Sequence, residues 1–159
     1  MAGAARTSSA SAAPQAGRDP DLIRQLLDRY EAAIHDKDAQ ATVACLSEDV
    51  VAYDLAPPLA FEGKAARDTA NLQKWFDTWN GPILSASRDL HIRASGDVAF
   101  ACTLQHMTGT KIDGEQVDLW FRATAGLIKT ADGWRIAHLH NSVPFAMDGS
   151  GRALLDLKP

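Results

Sequence analysis

Cysteine is scarce in this sequence. Its two thiols, Cys45 and Cys102, lie far apart, and each follows an alanine in apolar company. That pattern speaks for buried free thiols in a reducing compartment, and a cytoplasmic location is the expectation. Long apolar runs are missing too: none approaches the ~20 residues of a membrane-crossing helix, so no membrane partner is expected. Basic charge is not in excess. Sixteen Lys and Arg stand against 20 Asp and Glu, for a net charge of -4, which offers nucleic acid no basic face. There is no Gly-rich phosphate loop, no GxSxG elbow and no CxxC pair. Serine and cysteine nucleophiles therefore have no supporting pattern, and no cofactor is expected.

The 159 residues suggest one domain, and 46% of them are hydrophobic, enough for a core without disulfides or metal. Residues 1–18 are rich in Ala, Ser and Gly without the continuous apolar stretch of a signal peptide, and read as a disordered tail. The domain proper is expected over 19–147, followed by a C-terminal tail over 148–159. "DPDLIRQLLDRYEAAIHDKD" has helix logic: Asp19 as cap, Pro20 in the first helical position, Asp21 in the first turn. Leu22, Leu26, Tyr30 and Ala33 recur every three to four residues, which puts Tyr30 on the buried face. A short second helix is expected over about 39–46, the strand "VVAYDL" next, and a third helix in "GKAARDTANLQKWFDTW", stopped by Asn80, Gly81 and Pro82.

The second half changes period. "ASRDLHIRAS", "DVAFACTLQHMTGTKI", "QVDLWFRATAGLIKT" and "WRIAHLHNSVPF" are β-branched and aromatic, with Gly-Asp type turns between them. Helices followed by a run of strands define an α+β fold. The expected packing is a cone-shaped α+β barrel, with three helices on a curved antiparallel sheet.

Asp54 is the sharpest candidate residue. It stands between Tyr53 and Leu55 in the nearly uncharged run "VVAYDLAPPLAFEG". A carboxylate in apolar surroundings is a tuned general base, whereas on a solvated loop it is an ordinary turn cap. Tyr30 could donate to a developing oxyanion, or be a core tyrosine with a wet hydroxyl. Strand alternation puts Cys102, Leu104 and His106 on one face, and separates Leu139 and Asn141 from His138 and His140. A His-x-His pair needs a third and usually a fourth ligand to bind metal, and none is supplied; no metal is expected, and an interface or structural role suits the pair better. Asp118 and Arg122 read as an ion pair on a sheet face, with Trp120 between them.

The order of these elements resembles the nuclear transport factor 2-like superfamily, in its ketosteroid isomerase-like and SnoaL-like branch, over roughly residues 20–147. The likeness rests on "LLDRYEAAIHDKDAQATVACLSEDVVAYDLAPPLAFEGKAA" and on the closing "DGWRIAHLHNSVPF". It implies a cone cavity with Asp54 as proton shuttle at the end of the first strand and Tyr30 as oxyanion donor on the first helix. The second, protonated aspartate of the isomerases would fall near Ala125 or Gly126, where this chain has no acid. Similarity to the scytalone dehydratases implies a Tyr, Asp, His and Asn set in the same cone, which Tyr30, Asp54, His106 and Asn141 could assemble, Asn141 by its match late on the last strand and His106 by strand parity.

The expectation is an acid–base enzyme of isomerase, dehydratase or cyclase type acting on a small apolar substrate. Its catalytic residues would be Asp54, Tyr30 and His106. Asn141, Trp75, Trp79, Phe100, Phe121, Trp120 and Leu139 would contact the substrate. The alternative is a non-catalytic binding or association domain. A homodimer through the outer sheet face, with Trp120, His138 and His140, is expected to bury on the order of 1,200–2,000 Å² in total. The leucines of the C-terminal tail, Leu154, Leu155 and Leu157, would cover the cavity or a neighbouring subunit.

Overall fold

A computed structural model describes residues 18–159. The expected N-terminal tail lies outside the described residues except for Arg18. Helix α1 spans Asp19–His35 and helix α2 Ala39–Ala44, followed by strand β1, Leu46–Tyr53, and the two-residue strand β2, Phe61–Glu62. Helix α3 is Thr69–Phe76, and four long strands complete the chain: β3 (Trp79–Ser95), β4 (Val98–Lys111), β5 (Gln116–Thr130) and β6 (Gly133–Ser142). One curved sheet holds all six strands in the order β2-β1-β6-β5-β4-β3.

Two features differ from the expected barrel. The sheet is open, because β2 and β3 end it without pairing to each other. It is also not wholly antiparallel: β1 runs parallel to β6, with Val51 opposite His138 and Tyr53 opposite His140. A chain that leaves β1 and returns only after three hairpin-linked strands arrives beside β1 in the same direction. The mixed sheet thus follows from connectivity, which strand propensity does not report.

Helix boundaries shift in instructive ways. Asp19 was expected to cap α1, but Arg18 stands at the cap and gives no side-chain cap bond. The Asp19 carboxylate instead accepts from Lys129 Nζ at 2.9 Å and from Trp134 Nε1 at 3.1 Å, tying the helix start to β5 and β6. The third helix is shorter than its pattern. Asp68 accepts from the amides of Ala70 and Asn71, which fixes the start of α3 there rather than near Gly63. Trp79, expected in the helix, opens β3. Likewise Leu46 opens β1 instead of closing α2.

The main core joins Ile23 and Leu26 of α1 to Cys45, Leu46, Val50, Ala101, Ala125, Leu127, Trp134 and Ile136. Each large aliphatic side chain fully buried there contributes roughly 1.5–3 kcal/mol. A second cluster of Ala39, Phe76, Trp79 and Ile83 seats α3 against β3. Register shifts let one strand serve the core along its whole length. In β6, Gly126 faces His138 but Leu127 faces Ile136, so Ala137 is an extra residue. The bulge flips the alternation, and Ile136 and Leu139 both reach the helix side. The C-terminal segment folds back on itself: Phe145 bridges Ala153, and Leu154 N donates to Pro144 O at 2.8 Å.

Candidate functional site

The helices do not lie flat on the sheet. Between α1, α3, the β1–β2 connection and the concave sheet face is a cavity of about 420 Å³, within the ordinary range for small-molecule sites. Its walls are mainly apolar, with Leu27, Leu72, Trp75, Leu90, Phe121 and Leu139 among them.

Tyr30 and Asp54 both line this cavity. Tyr30 reaches it from α1, where the helical spacing turns it inward. Its phenol is pushed far above its usual range, first by burial, then by the negative charge of Asp54, then by Cys45. Asp54 follows the last residue of β1, and its position at the mouth comes from that strand end. It is exposed rather than enclosed by apolar neighbours. The reason is local: the carboxylate accepts from the amide of Leu55 at 2.7 Å, which turns it along the chain toward the rim. From β6, Asn141 Nδ2 donates to the same carboxylate oxygen at 3.3 Å.

The structure does not bring His106 to this space. The residues of β4 that line the cavity are Ala101, Thr103, Gln105 and Met107, so the even-numbered side chains face outward. His106 stacks on Trp120 with ring centroids 4.3 Å apart, and its Nε2 lies 2.6 Å from Asp118 Oδ1. Lys158 also contacts the Asp118 carboxylate, so the C-terminal tail reaches the outer sheet face rather than the cavity. Together Lys158 and His106 hold the Asp118 carboxyl below the usual carboxylate range. The expected Asp118–Arg122 pair is replaced by these contacts.

Of the expected substrate contacts, Asn141, Trp75, Phe121 and Leu139 line the cavity, whereas Trp79, Phe100 and Trp120 do not. Trp79 is buried beneath it, its ring held between Gly109 and the Lys111 ammonium at 3.7 Å from the ring centroid. Phe100 is half exposed on the outer face. His138 donates from Nδ1 to Val51 O at 2.9 Å, and Tyr53 sits edge-on to both His138 and His140. This trio joins β1 to β6. Among the described residues no three His, Cys, Asp or Glu side chains gather as a metal site. Burial raises the Cys45 thiol above its ordinary value, which leaves it a poor nucleophile.

One group escaped the sequence reading. Glu31, Ser85, Ser87 and Gln105 form a polar cluster on the β3–β4 side of the cavity. Gln105 Nε2 donates to Glu31 Oε1 at 2.8 Å and to Ser85 Oγ at 2.9 Å. The available signal was the alternation of Ala101, Thr103, Gln105 and Met107, in which a lone amide interrupts a largely apolar face.

Helices over the concave face of a curved, open sheet enclose an apolar cavity with Asp54 at its rim. The chain belongs to the SnoaL-like domain family, whose profile matches residues 23–146. It is similar to an NTF2-like protein of unknown function from Pseudomonas putida KT2440: 33% identity, 90% of this chain and 97% of that one covered, TM-score 0.77. It shares the fold of a ketosteroid isomerase-like protein from Erwinia carotovora atroseptica SCRI1043, at 22% identity, 77% and 93% coverage and TM-score 0.64. An NTF2-like superfamily protein from Salmonella enterica serovar Typhimurium LT2 matches at 21% identity, 86% and 99% coverage and TM-score 0.71. Comparison with curated proteins gives no match. Among the described residues no helix is long and apolar enough to cross a membrane.

Proposed function

We propose that the protein is a cofactor-independent acid–base enzyme, of isomerase, dehydratase or cyclase type, acting on a small apolar carbonyl or hydroxyl compound. The observation that carries this reading is the convergence of Asp54 and Tyr30 on one apolar cavity, close enough for the charge of one to act on the other. Asp54 takes a proton from carbon next to a carbonyl, or beside a leaving hydroxyl. Tyr30, which keeps its own proton, donates to the oxygen where negative charge develops. Asn141 holds the Asp54 carboxylate while it works. His106 has no part in this scheme, because its ring lies on the other face.

Deuterium exchange into 2-tetralone, an apolar ketone with acidic carbon-bound protons, tests the scheme. The wild-type protein is expected to accelerate exchange, and Asp54→Asn to lose about 100- to 10,000-fold of that acceleration. Equal rates for the two proteins would sink the enzyme reading.

One observation favours a second reading, a passive binding domain. The bond from the Leu55 amide is the local turn contact an ordinary loop aspartate makes. On that reading 2-tetralone binds and exchanges no faster than in buffer. We also propose a homodimer through the outer sheet face, where Leu84, Val98 and Phe100 are half exposed or more. A monomer by light scattering at micromolar concentration would refute it.

A further inference from the structure

The Glu31 cluster is short of hydrogen. Glu31 Oε1, Ser87 Oγ and the Gln105 carboxamide form a triangle in which every pair is in contact. With the amide nitrogen toward Glu31, that edge has its hydrogen. Ser87 Oγ then lies against two acceptors, Glu31 Oε1 and Gln105 Oε1 (the latter at 2.9 Å), with a single hydroxyl hydrogen to give. Rotating the amide does not help. Its nitrogen would then serve Ser87, but its oxygen would face Glu31 Oε1 at 2.8 Å with no hydrogen between them. With Glu31 ionised, three contacts share two hydrogens in either orientation. Gln105 is only 8% exposed, so its own groups have little access to water. Among the described residues nothing donates to the second oxygen of Glu31.

We propose that this cluster is a recognition subsite for a hydrogen-donating group of the ligand, a hydroxyl or an amine. The proposal rests on the cavity reading above and names the class of compound within it: an apolar ring body carrying a donor at the β3–β4 side, away from Asp54. A ligand O–H or N–H donating to the Glu31 carboxylate joins Gln105 Nε2 as its donor. Ser87 is then released to give its single hydrogen to Gln105 Oε1. An ether or a hydrocarbon at the same place leaves the deficit and desolvates the carboxylate as well, which is costly. Strand order separates this end from the mouth. Glu31 meets β3 and β4, whereas Asp54 follows the end of β1 and Asn141 lies in β6, with β5 between β6 and β4. A compound spanning the cavity would present its donor to Glu31 and its reacting carbon to Asp54.

The test compares binding of 2-naphthol and 2-methoxynaphthalene, followed by calorimetry on the full chain, in the wild type, Glu31→Gln and Asp54→Asn. The wild type is expected to prefer the naphthol by about 10- to 100-fold, the range of one hydrogen bond to a charged group. Glu31→Gln brings its own amide hydrogens to the triangle, and its preference should fall toward equality. Asp54→Asn should keep the preference. Equal affinities in the wild type would overturn the proposal while leaving the cavity reading intact. Loss of the preference in Asp54→Asn but not in Glu31→Gln would place the hydroxyl at Asp54 and overturn it too. If neither probe binds, the cavity reading falls and this proposal with it. Should Glu31→Gln fail to fold, the wild-type and Asp54→Asn comparison still decides.

Discussion

Asn141 Nδ2 and Asp54 Oδ1 lie 3.3 Å apart across the parallel junction of β1 and β6. The first and last strands of the chain meet there, 87 residues apart in sequence. The amide gives the exposed carboxylate a partner from outside its own loop. Replacing Asn141 by Leu keeps the volume and removes the donor. Under the acid–base reading, exchange of 2-tetralone should slow on the order of 100-fold, the usual consequence of a misplaced catalytic group, with the melting temperature little changed. An unaltered rate would mean that the turn at Leu55 alone positions Asp54.

Tyr30 makes a prediction about alkaline stability. Burial and the Asp54 charge raise its phenol in the folded state. Above about pH 10 the unfolded chain releases that proton while the folded chain keeps it. The unfolded state then binds fewer protons, so stability falls as pH rises. Tyr30→Phe removes the effect, and its urea midpoint should decline less steeply than wild type from about pH 9 to pH 11. In Asp54→Asn the charge that helps raise Tyr30 is gone, so the folded phenol titrates at lower pH and the alkaline decline should be weaker than in the wild type; an unchanged decline would show that burial alone raises Tyr30.

Asp19 acts at the other end of the pH scale. Bonds from Lys129 and then Trp134 hold its carboxyl below the usual value. Its contribution is therefore present above about pH 4 and lost as pH falls through the lower folded value. Asp19→Ala should unfold more easily at neutral pH and show a shallower acid limb in urea titrations. Parallel acid limbs would show that the tie between α1 and the sheet does not depend on charge.

Gly109 packs against Trp79 so closely that an added Cβ would stand 2.9 Å from the indole and 3.3 Å from the Pro82 carbonyl. Gly109→Ala should cost about 1–3 kcal/mol by overpacking, measured as a fall in the urea midpoint with the slope unchanged.

The α+β class, the helix-then-meander order and the inward turn of Tyr30 were legible in the sequence, because each depends on local period. Asp54 at the cavity mouth was legible through family likeness. Three things were not. The open, mixed sheet depends on which strands meet, and β1 with β6 is a pairing no local pattern announces. The face of β4 was misjudged because apolar side chains occur on both sides of it. Cys102 and Leu104 suggested one face, while Ala101 and Gln105 are the buried ones, and His106 went outward with the error. The Glu31 cluster joins α1, β3 and β4, so its members are ordinary surface-type residues until the fold assembles them. Asp19 illustrates the same point on a smaller scale: its sequence context is that of a cap, but Lys129 and Trp134 are better partners than the helix amides.

The most direct test of the central claim is a crystal structure of the protein with 2-tetralone bound. The account predicts the ketone inside the cavity, its oxygen within ~3 Å of the Tyr30 hydroxyl and the adjacent carbon facing the Asp54 carboxylate. A ketone bound with its oxygen turned away from Tyr30 and its acidic carbon out of reach of Asp54, or bound only on the outer sheet face, would contradict it.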